Sequence, residues 1–89
     1  MTWTREALRA EIVRILEEHR STDDAPAIDD HTHLSGDLGI DSLATMEVIA
    51  DVEDALGVKI PVSSLREVST VGDVLRALEV RLRDAGRLA

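Results

Sequence analysis

Ser42 is the residue of this sequence best placed for covalent chemistry. It follows Gly36, Gly39 and Asp41 and stands where an amphipathic segment begins, which predicts its hydroxyl at a helix N-terminus. Free backbone N–H groups and the positive end of the helix dipole would favour a phosphoryl group there by about 0.3–1 kcal/mol. Taken alone, however, a serine in this position is more often a plain N-cap residue.

Ser42 lacks the sequence partners of a catalytic nucleophile. Such a serine needs an adjacent base, usually histidine, and no pattern places His19, His31 or His33 beside it. The surrounding residues 39–43 read Gly-Ile-Asp-Ser-Leu, which is not the Gly-x-Ser-x-Gly elbow of hydrolases. We therefore predict that the chain is not an enzyme.

Other binding chemistries have little support. The donor-rich stretch 29–33, Asp-Asp-His-Thr-His, matches neither a zinc spacing nor an EF-hand loop, so we interpret it as a solvated polar loop. No glycine-rich phosphate loop follows a predicted strand, and the single aromatic residue, Trp3, argues against stacking on nucleic acid bases. We predict no metal site and no nucleic-acid partner.

Negative charge is concentrated in one part of the chain. The net charge is −8, and residues 21–58 contain ten acids but no Lys or Arg. Such a surface repels nucleic acid and anionic membrane, and it attracts basic patches on other proteins. A solvated acidic face that serves only solubility remains an equally good interpretation of the charge by itself.

The helical elements that would position Ser42 can be read from apolar spacing. Apolar residues at helical intervals predict helices over residues 4–20, with Leu8, Ile12, Ile15 and Leu16 on one face, over 41–56 and over 71–86. One capping-box pattern predicts a short helix over 64–67, and a second, Thr70 with Asp73, opens the last helix. A long loop, residues 21–40, joins the first two helices. No segment alternates with period two. The sequence thus predicts an all-α four-helix bundle, with three longer helices and one short one.

A helical wheel divides the second helix into two sides. The predicted core side carries Val48, Ile49, Val52, Ala55 and Leu56, with Met46 at its edge. The predicted exposed side carries Leu43, Glu47, Ala50, Asp51 and Asp54. The second side is acidic and holds one large apolar residue.

Length and composition indicate a single domain over residues 1–89, with its core at about 6–82. There is no cysteine for a disulfide, no apolar run long enough to span a bilayer and no signal-peptide pattern at the N-terminus. We expect a free-standing, mainly monomeric cytoplasmic protein without membrane insertion.

Residues 38–43, Leu-Gly-Ile-Asp-Ser-Leu, resemble the phosphopantetheine attachment motif of acyl carrier proteins, whose core is Asp-Ser-Leu. The resemblance covers about residues 6–82 and continues through Glu47, the acidic stretch 51–54, Leu56-Gly57, Ile60-Pro61 and the segment 69–73 that opens the last helix. The tripeptide alone is a weak signal, whereas the motif together with these spacings is specific.

The resemblance implies that Ser42 carries a 4′-phosphopantetheine arm derived from coenzyme A, and that the arm's thiol bears an acyl group as a thioester. A separate phosphopantetheinyl transferase would attach the arm with Mg²⁺, and Asp41 would assist its recognition. The other implied partners are acyl-activating or acyltransferase enzymes and a ketosynthase or other acyl-processing enzymes. They would dock on the second helix, at Leu43, Glu47, Ala50, Asp51, Glu53 and Asp54.

Some residues differ from the pattern of fatty-acid carriers, and two alternatives to an acyl carrier stay open. Ala44, Lys59 and Val62 are non-acidic where many fatty-acid carriers are acidic, which suggests a dedicated pathway such as polyketide biosynthesis. Aminoacyl or peptidyl carriers of nonribosomal synthesis commonly have Gly-Gly before the acid and serine, whereas Ile40 stands in place of the second glycine here. The acyl type is favoured, while a peptidyl carrier and an acidic helical adaptor without a prosthetic group stay open as alternatives.

Overall fold

The computed structural model describes residues 2–21, 27–65 and 67–89. The elements in chain order are α1 (Arg5–His19), α2 (Ser42–Leu56), a 3-10 turn (Val62–Leu65) and α3 (Val71–Asp84). Within the described ranges there is no β-strand, which confirms the predicted all-α class. The same ranges hold no helix with the length and apolar composition that a bilayer crossing requires.

The short fourth helix predicted over residues 64–67 is not confirmed. The segment instead contains the 3-10 turn, which begins two residues earlier and in which the Ser64 N–H donates to the Pro61 carbonyl at 2.9 Å. Pro61 lacks an N–H and has a fixed φ, so it fits immediately before a helical turn. Position 66, in the middle of the predicted helix, lies outside the described residues.

The core lies between one face of each α-helix and the loop that precedes α2. It is formed by Leu8, Ile12, Ile15, Leu16, Leu38, Ile40, Val48, Val52, Leu56, Ile60, Val71, Leu75, Leu78 and Leu82. The four α1 residues are those predicted from the spacing. On α2, the prediction was wrong for Met46, which is 58% exposed, and for Ala55, which is also exposed. Each residue turns the helix by about 100°, and both lie beyond the arc centred on Val52.

Backbone hydrogen bonds join the two chain ends to each other and the long loop to the segment that opens α3. Trp3 bridges to Leu88, and the Ala89 N–H donates to the Trp3 carbonyl at 2.7 Å. In the loop, the Leu34 N–H donates to the Ser69 carbonyl at 3.0 Å, beside a bridge between His33 and Thr70. The loop is therefore fixed against the start of α3 as well as against the core.

Candidate functional site

Ser42 is the first residue of α2, and its side chain is exposed. The N-cap is its neighbour Asp41, whose Oδ1 accepts a hydrogen bond of 2.8 Å from the Ala44 N–H. The Thr45 hydroxyl donates to the Asp41 carbonyl, also at 2.8 Å. Because Asp41 caps the helix, the Ser42 hydroxyl makes no hydrogen bond to any described residue and is available for chemistry.

The backbone just before Ser42 is held in place by the loop. Gly39 has φ +67°, in the left-handed region that favours glycine, and its carbonyl accepts from the Ser21 hydroxyl at 2.9 Å. Ile40 is buried, and its N–H donates to the Leu34 carbonyl at 3.0 Å. The attachment of Ile40 to the core fixes where α2 begins and therefore where the Ser42 hydroxyl is presented.

The position of Ser42 suits a phosphate ester. The first-turn N–H groups of a helix have no partner within the helix, and the dipole places partial positive charge there. Asp41 uses one of these groups, the Ala44 N–H, and leaves others for an anion attached at Ser42. The exposed hydroxyl and the helix N-terminus together fit a phosphodiester-linked arm.

An apolar cavity of about 250 Å³ lies beside the site, between α2, α3 and the segments that precede them. α1 packs against both other helices, while α2 and α3 face each other across this cavity. The apolar lining comes from Leu16, Leu34, Ile40, Val48, Ile49, Val52, Ile60, Val68, Val74, Ala77 and Leu78. His33, Ser35, Thr45 and Ser69 contribute polar groups to the same lining. Thr45 is one helical turn from Ser42, so a group tethered to Ser42 can reach the cavity.

The outward side of α2 is apolar near Ser42 and acidic farther along. Leu43 is 71% exposed, and Met46, three residues on, lies next to it on the helix surface. Glu47, Ala50 and Asp54 are also exposed. The structure thus presents four of the six predicted docking residues directly to solvent and adds Met46, which the wheel had placed at the core edge.

The two remaining docking residues, Asp51 and Glu53, are half-buried and engaged within the fold. Asp51 Oδ2 lies 2.7 Å from His19 Nε2 on α1, and Glu53 Oε2 accepts from the Ile60 N–H at 2.7 Å. Sequence reasoning missed both contacts, because a helical wheel shows one helix and not what packs beside it. His19 at the end of α1 was the one available signal for an acidic partner.

The donor-rich stretch 29–33 is used to build a turn. Asp29 Oδ1 accepts from the His31 N–H at 2.8 Å, and the Asp29 N–H donates to the Thr32 hydroxyl at 2.9 Å. Asp30 forms an ion pair with Arg9 on α1. These contacts account for the two acids as elements of loop structure.

The family model for the phosphopantetheine attachment site matches residues 6–78, most of the chain. The chain belongs to the acyl carrier protein family. Acyl carrier proteins are non-catalytic carriers, and the group that this family binds is phosphopantetheine.

Individual acyl carrier proteins resemble the chain over most of its length. The acyl carrier protein of Thermotoga maritima is 32% identical over 79 residues, which covers 89% of this chain and 96% of the relative. The anthracycline acyl carrier protein DpsG of Streptomyces peucetius is 38% identical over 77 residues, covering 85% and 92%. A solved structure of a candidate acyl carrier protein from Mycobacterium tuberculosis is 36% identical, with a TM-score of 0.64 over 85% of this chain and 95% of that one.

Proposed function

We propose that this carrier receives a 4′-phosphopantetheine arm at the Ser42 hydroxyl and tethers acyl groups as thioesters on the arm's thiol. The carrying observation is that this hydroxyl is exposed and without a hydrogen-bond partner among the described residues, although it stands at a helix start. A capping serine would direct its oxygen to a first-turn N–H, and Asp41 does this instead.

Attachment joins Ser42 Oγ to the phosphorus of the arm. The hydroxyl loses its proton, and the adenosine-containing part of coenzyme A leaves. A separate phosphopantetheinyl transferase with Mg²⁺ supplies the catalysis. We assign Asp41 a second role in recognition by that enzyme, since only Oδ1 is used in the cap and Oδ2 makes no hydrogen bond within the described structure.

The cavity supports acyl cargo over aminoacyl cargo. Its lining is mainly aliphatic, which favours burial of a hydrocarbon chain by about 0.8 kcal/mol per CH₂ group. A charged aminoacyl group gains nothing comparable from such a surface. We therefore propose that part of the acyl chain shelters between α2 and α3.

The outward side of α2 is the proposed docking surface for the transferase, acyl-loading enzymes and a ketosynthase or other acyl-processing enzymes. Leu43 is the apolar contact that holds the complex, and the exposed Glu47 and Asp54 attract basic patches and set the encounter rate. Asp51 and Glu53 add negative charge, but their carboxylates are engaged with His19 and Ile60.

We place the carrier in fatty-acid, polyketide or related specialised biosynthesis. The relatives include the anthracycline carrier DpsG as well as the Thermotoga maritima carrier, so both types of pathway have similar members. The non-acidic residues Ala44 and Lys59 favour the specialised type. We propose that it acts in the cytoplasm as a monomer.

The type of cargo is tested by offering acyl and aminoacyl groups to the holo protein, which carries the arm. Purified holo protein is incubated separately with acyl-loading enzymes and with aminoacyl-activating enzymes, and the products are identified by mass. We expect acyl thioesters that hydroxylamine cleaves. Selective aminoacylation without acyl loading would identify a peptidyl carrier and overturn the proposal.

A further inference from the structure

Among the described residues, five arginines pair with carboxylates, whereas four cations do not. The described arginines that pair with carboxylates are Arg5, Arg9, Arg14, Arg20 and Arg76. By contrast, the side chains of Lys59, Arg81 and Arg83 form no ion pair or hydrogen bond with any described residue. Arg87 bonds only to carbonyl groups of the described chain. Unpaired cations are notable in a protein with 18 acids and 10 bases.

Three of these four cations line one open depression between the C-terminal ends of α2 and α3. They are Lys59, Arg81 and Arg87. Asp84 is the one carboxylate in the lining, and the remaining lining residues are Gly57, Val58 and Ala85. The depression is therefore positively charged, whereas the outward side of α2 is negative.

Within the depression, Arg87 is hydrogen-bonded to the C-terminal end of α2. Its Nη1 donates to the carbonyls of Leu56 at 2.9 Å and Gly57 at 3.0 Å, where the α2 dipole is negative. Gly57 has φ +68°, and a Cβ at this position would meet Arg87 Nη1 at 2.6 Å. Glycine here satisfies both the left-handed backbone and the close approach of the guanidinium.

Helix dipoles do not account for all of this charge. Arg81 is in the last turn of α3, where a cation stabilises the helix, and Arg87 serves the end of α2. Lys59 belongs to neither helix, is exposed and contacts no carboxylate among the described residues. Its ammonium group adds to a lining in which three cations stand against one carboxylate, that of Asp84.

The depression is also well separated from the attachment site. Ser42 begins α2 and Leu56 ends it, so the two are about 20 Å apart along the helix at 1.5 Å per residue. A partner that reaches both places would contact the whole length of α2, with its apolar and acidic outward side and the cationic depression at its C-terminal end. Such an arrangement defines the direction in which the carrier is held.

We propose that the depression formed by Lys59, Arg81 and Arg87 is a second docking site and that it takes a carboxylate-rich segment of a partner protein. Glutamate or aspartate side chains supply the counter-charge that Lys59 and Arg81 lack, beside the Arg87 guanidinium. The site needs no prosthetic group, so it is tested on the apo chain and its failure would leave the function of Ser42 untouched.

The test is a titration of the ¹⁵N-labelled full-length apo protein with a short polyglutamate peptide at low salt. We expect amide shifts at residues 57–59 and 81–87 that disappear at high salt and in a Lys59→Gln, Arg81→Gln double variant. Arg83→Gln is the matched control, because this arginine is unpaired but outside the lining; it should keep the shifts. Lys59→Gln alone, outside both helices, should weaken them even where the double variant is unstable.

Three outcomes would overturn the proposal. The first is an absence of amide shifts at residues 57–59 when polyglutamate is added. The second is a loss of these shifts in the Arg83→Gln control as large as in the double variant. The third comes from a parallel titration with tripolyphosphate. Shifts with tripolyphosphate but none with polyglutamate would show a small-anion site and exclude an acidic protein segment as its occupant.

Discussion

The Glu53 carboxylate accepts a hydrogen bond of 2.7 Å from the backbone N–H of Ile60. Ile60 is buried, so this bond connects α2 to the linker at a point where water does not easily replace it. Glu53 therefore serves the fold, in addition to the negative charge that it contributes to α2.

We predict that Glu53→Ala lowers the free energy of unfolding by about 1–2 kcal/mol, because it leaves a part-buried N–H without an acceptor. Glu53→Gln keeps an oxygen in place as acceptor, so its free energy of unfolding should fall by less. Urea denaturation measures both, with Asp54→Ala as the exposed control. Equal stability of Glu53→Ala and the control would contradict the structural role.

Asp41 is predicted to have two separable roles. Asp41→Ala removes the α2 cap and should destabilise the protein by about 1 kcal/mol, while Asp41→Asn caps equally well and should retain stability. Both variants lack the carboxylate, so both should be modified more slowly by the transferase. Thermal melts and initial rates of arm attachment separate the effects. If arm attachment to Asp41→Asn proceeds at the wild-type rate, Asp41 acts only as the helix cap.

The Asp73 carboxylate should make stability depend on pH. It accepts hydrogen bonds from the backbone N–H groups of Ser69 at 3.0 Å and Thr70 at 3.1 Å, and these hold the pKa of Asp73 well below its ordinary value of 3.8. With a lowered folded pKa, the unfolded chain binds the proton more readily, so this stabilisation is present above about pH 4 and is lost as the pH falls further.

Asp73→Asn should consequently melt at a lower temperature than the wild type at neutral pH, and the difference should shrink in acid. Calorimetry at several pH values down to about pH 2.5 covers the relevant range. Asp54→Asn is the control, since Asp54 makes no contact of this kind among the described residues. A difference in melting temperature that stays constant across the pH range would refute the prediction.

The acidic residues and the apolar Leu43 on α2 should affect acyl transfer to a partner enzyme in different ways. Charge reversal of Glu47 or Asp54 should slow transfer to a cognate enzyme at low salt, and the effect should fade as salt screens the encounter. Leu43→Ala should weaken transfer at all salt concentrations. Circular dichroism should show folded protein in each case. If the charge variants transfer the acyl group as fast as the wild type at low ionic strength, the acidic face serves only solubility.

Local signals were sufficient for the three longer helices and for the position of Ser42 at the start of α2. The α1 spacing identified its buried face, Thr70 and Asp73 form the predicted capping box, and the chain around Ser42 matches the attachment-site family. Such features depend on residues within one or two helical turns of each other, so periodicity and capping patterns express them directly.

Contacts between distant segments could not be predicted in the same way. The His19 interaction with Asp51 and the Arg87 bonds to the end of α2 join residues about thirty positions apart, and no local pattern specifies them. Met46 was misplaced for a related reason, because the width of the buried arc of α2 depends on how closely α1 and α3 approach. The cationic depression arises from the same kind of long-range packing.

The central claim is that the Ser42 hydroxyl is the point of covalent attachment. Its most direct test is the intact mass of the purified chain after incubation with coenzyme A, Mg²⁺ and a broad-specificity phosphopantetheinyl transferase. We predict a gain of one phosphopantetheine group in the wild type and no gain in Ser42→Ala, whose fold is checked by circular dichroism. An unchanged wild-type mass, or the same gain in Ser42→Ala, would contradict the claim.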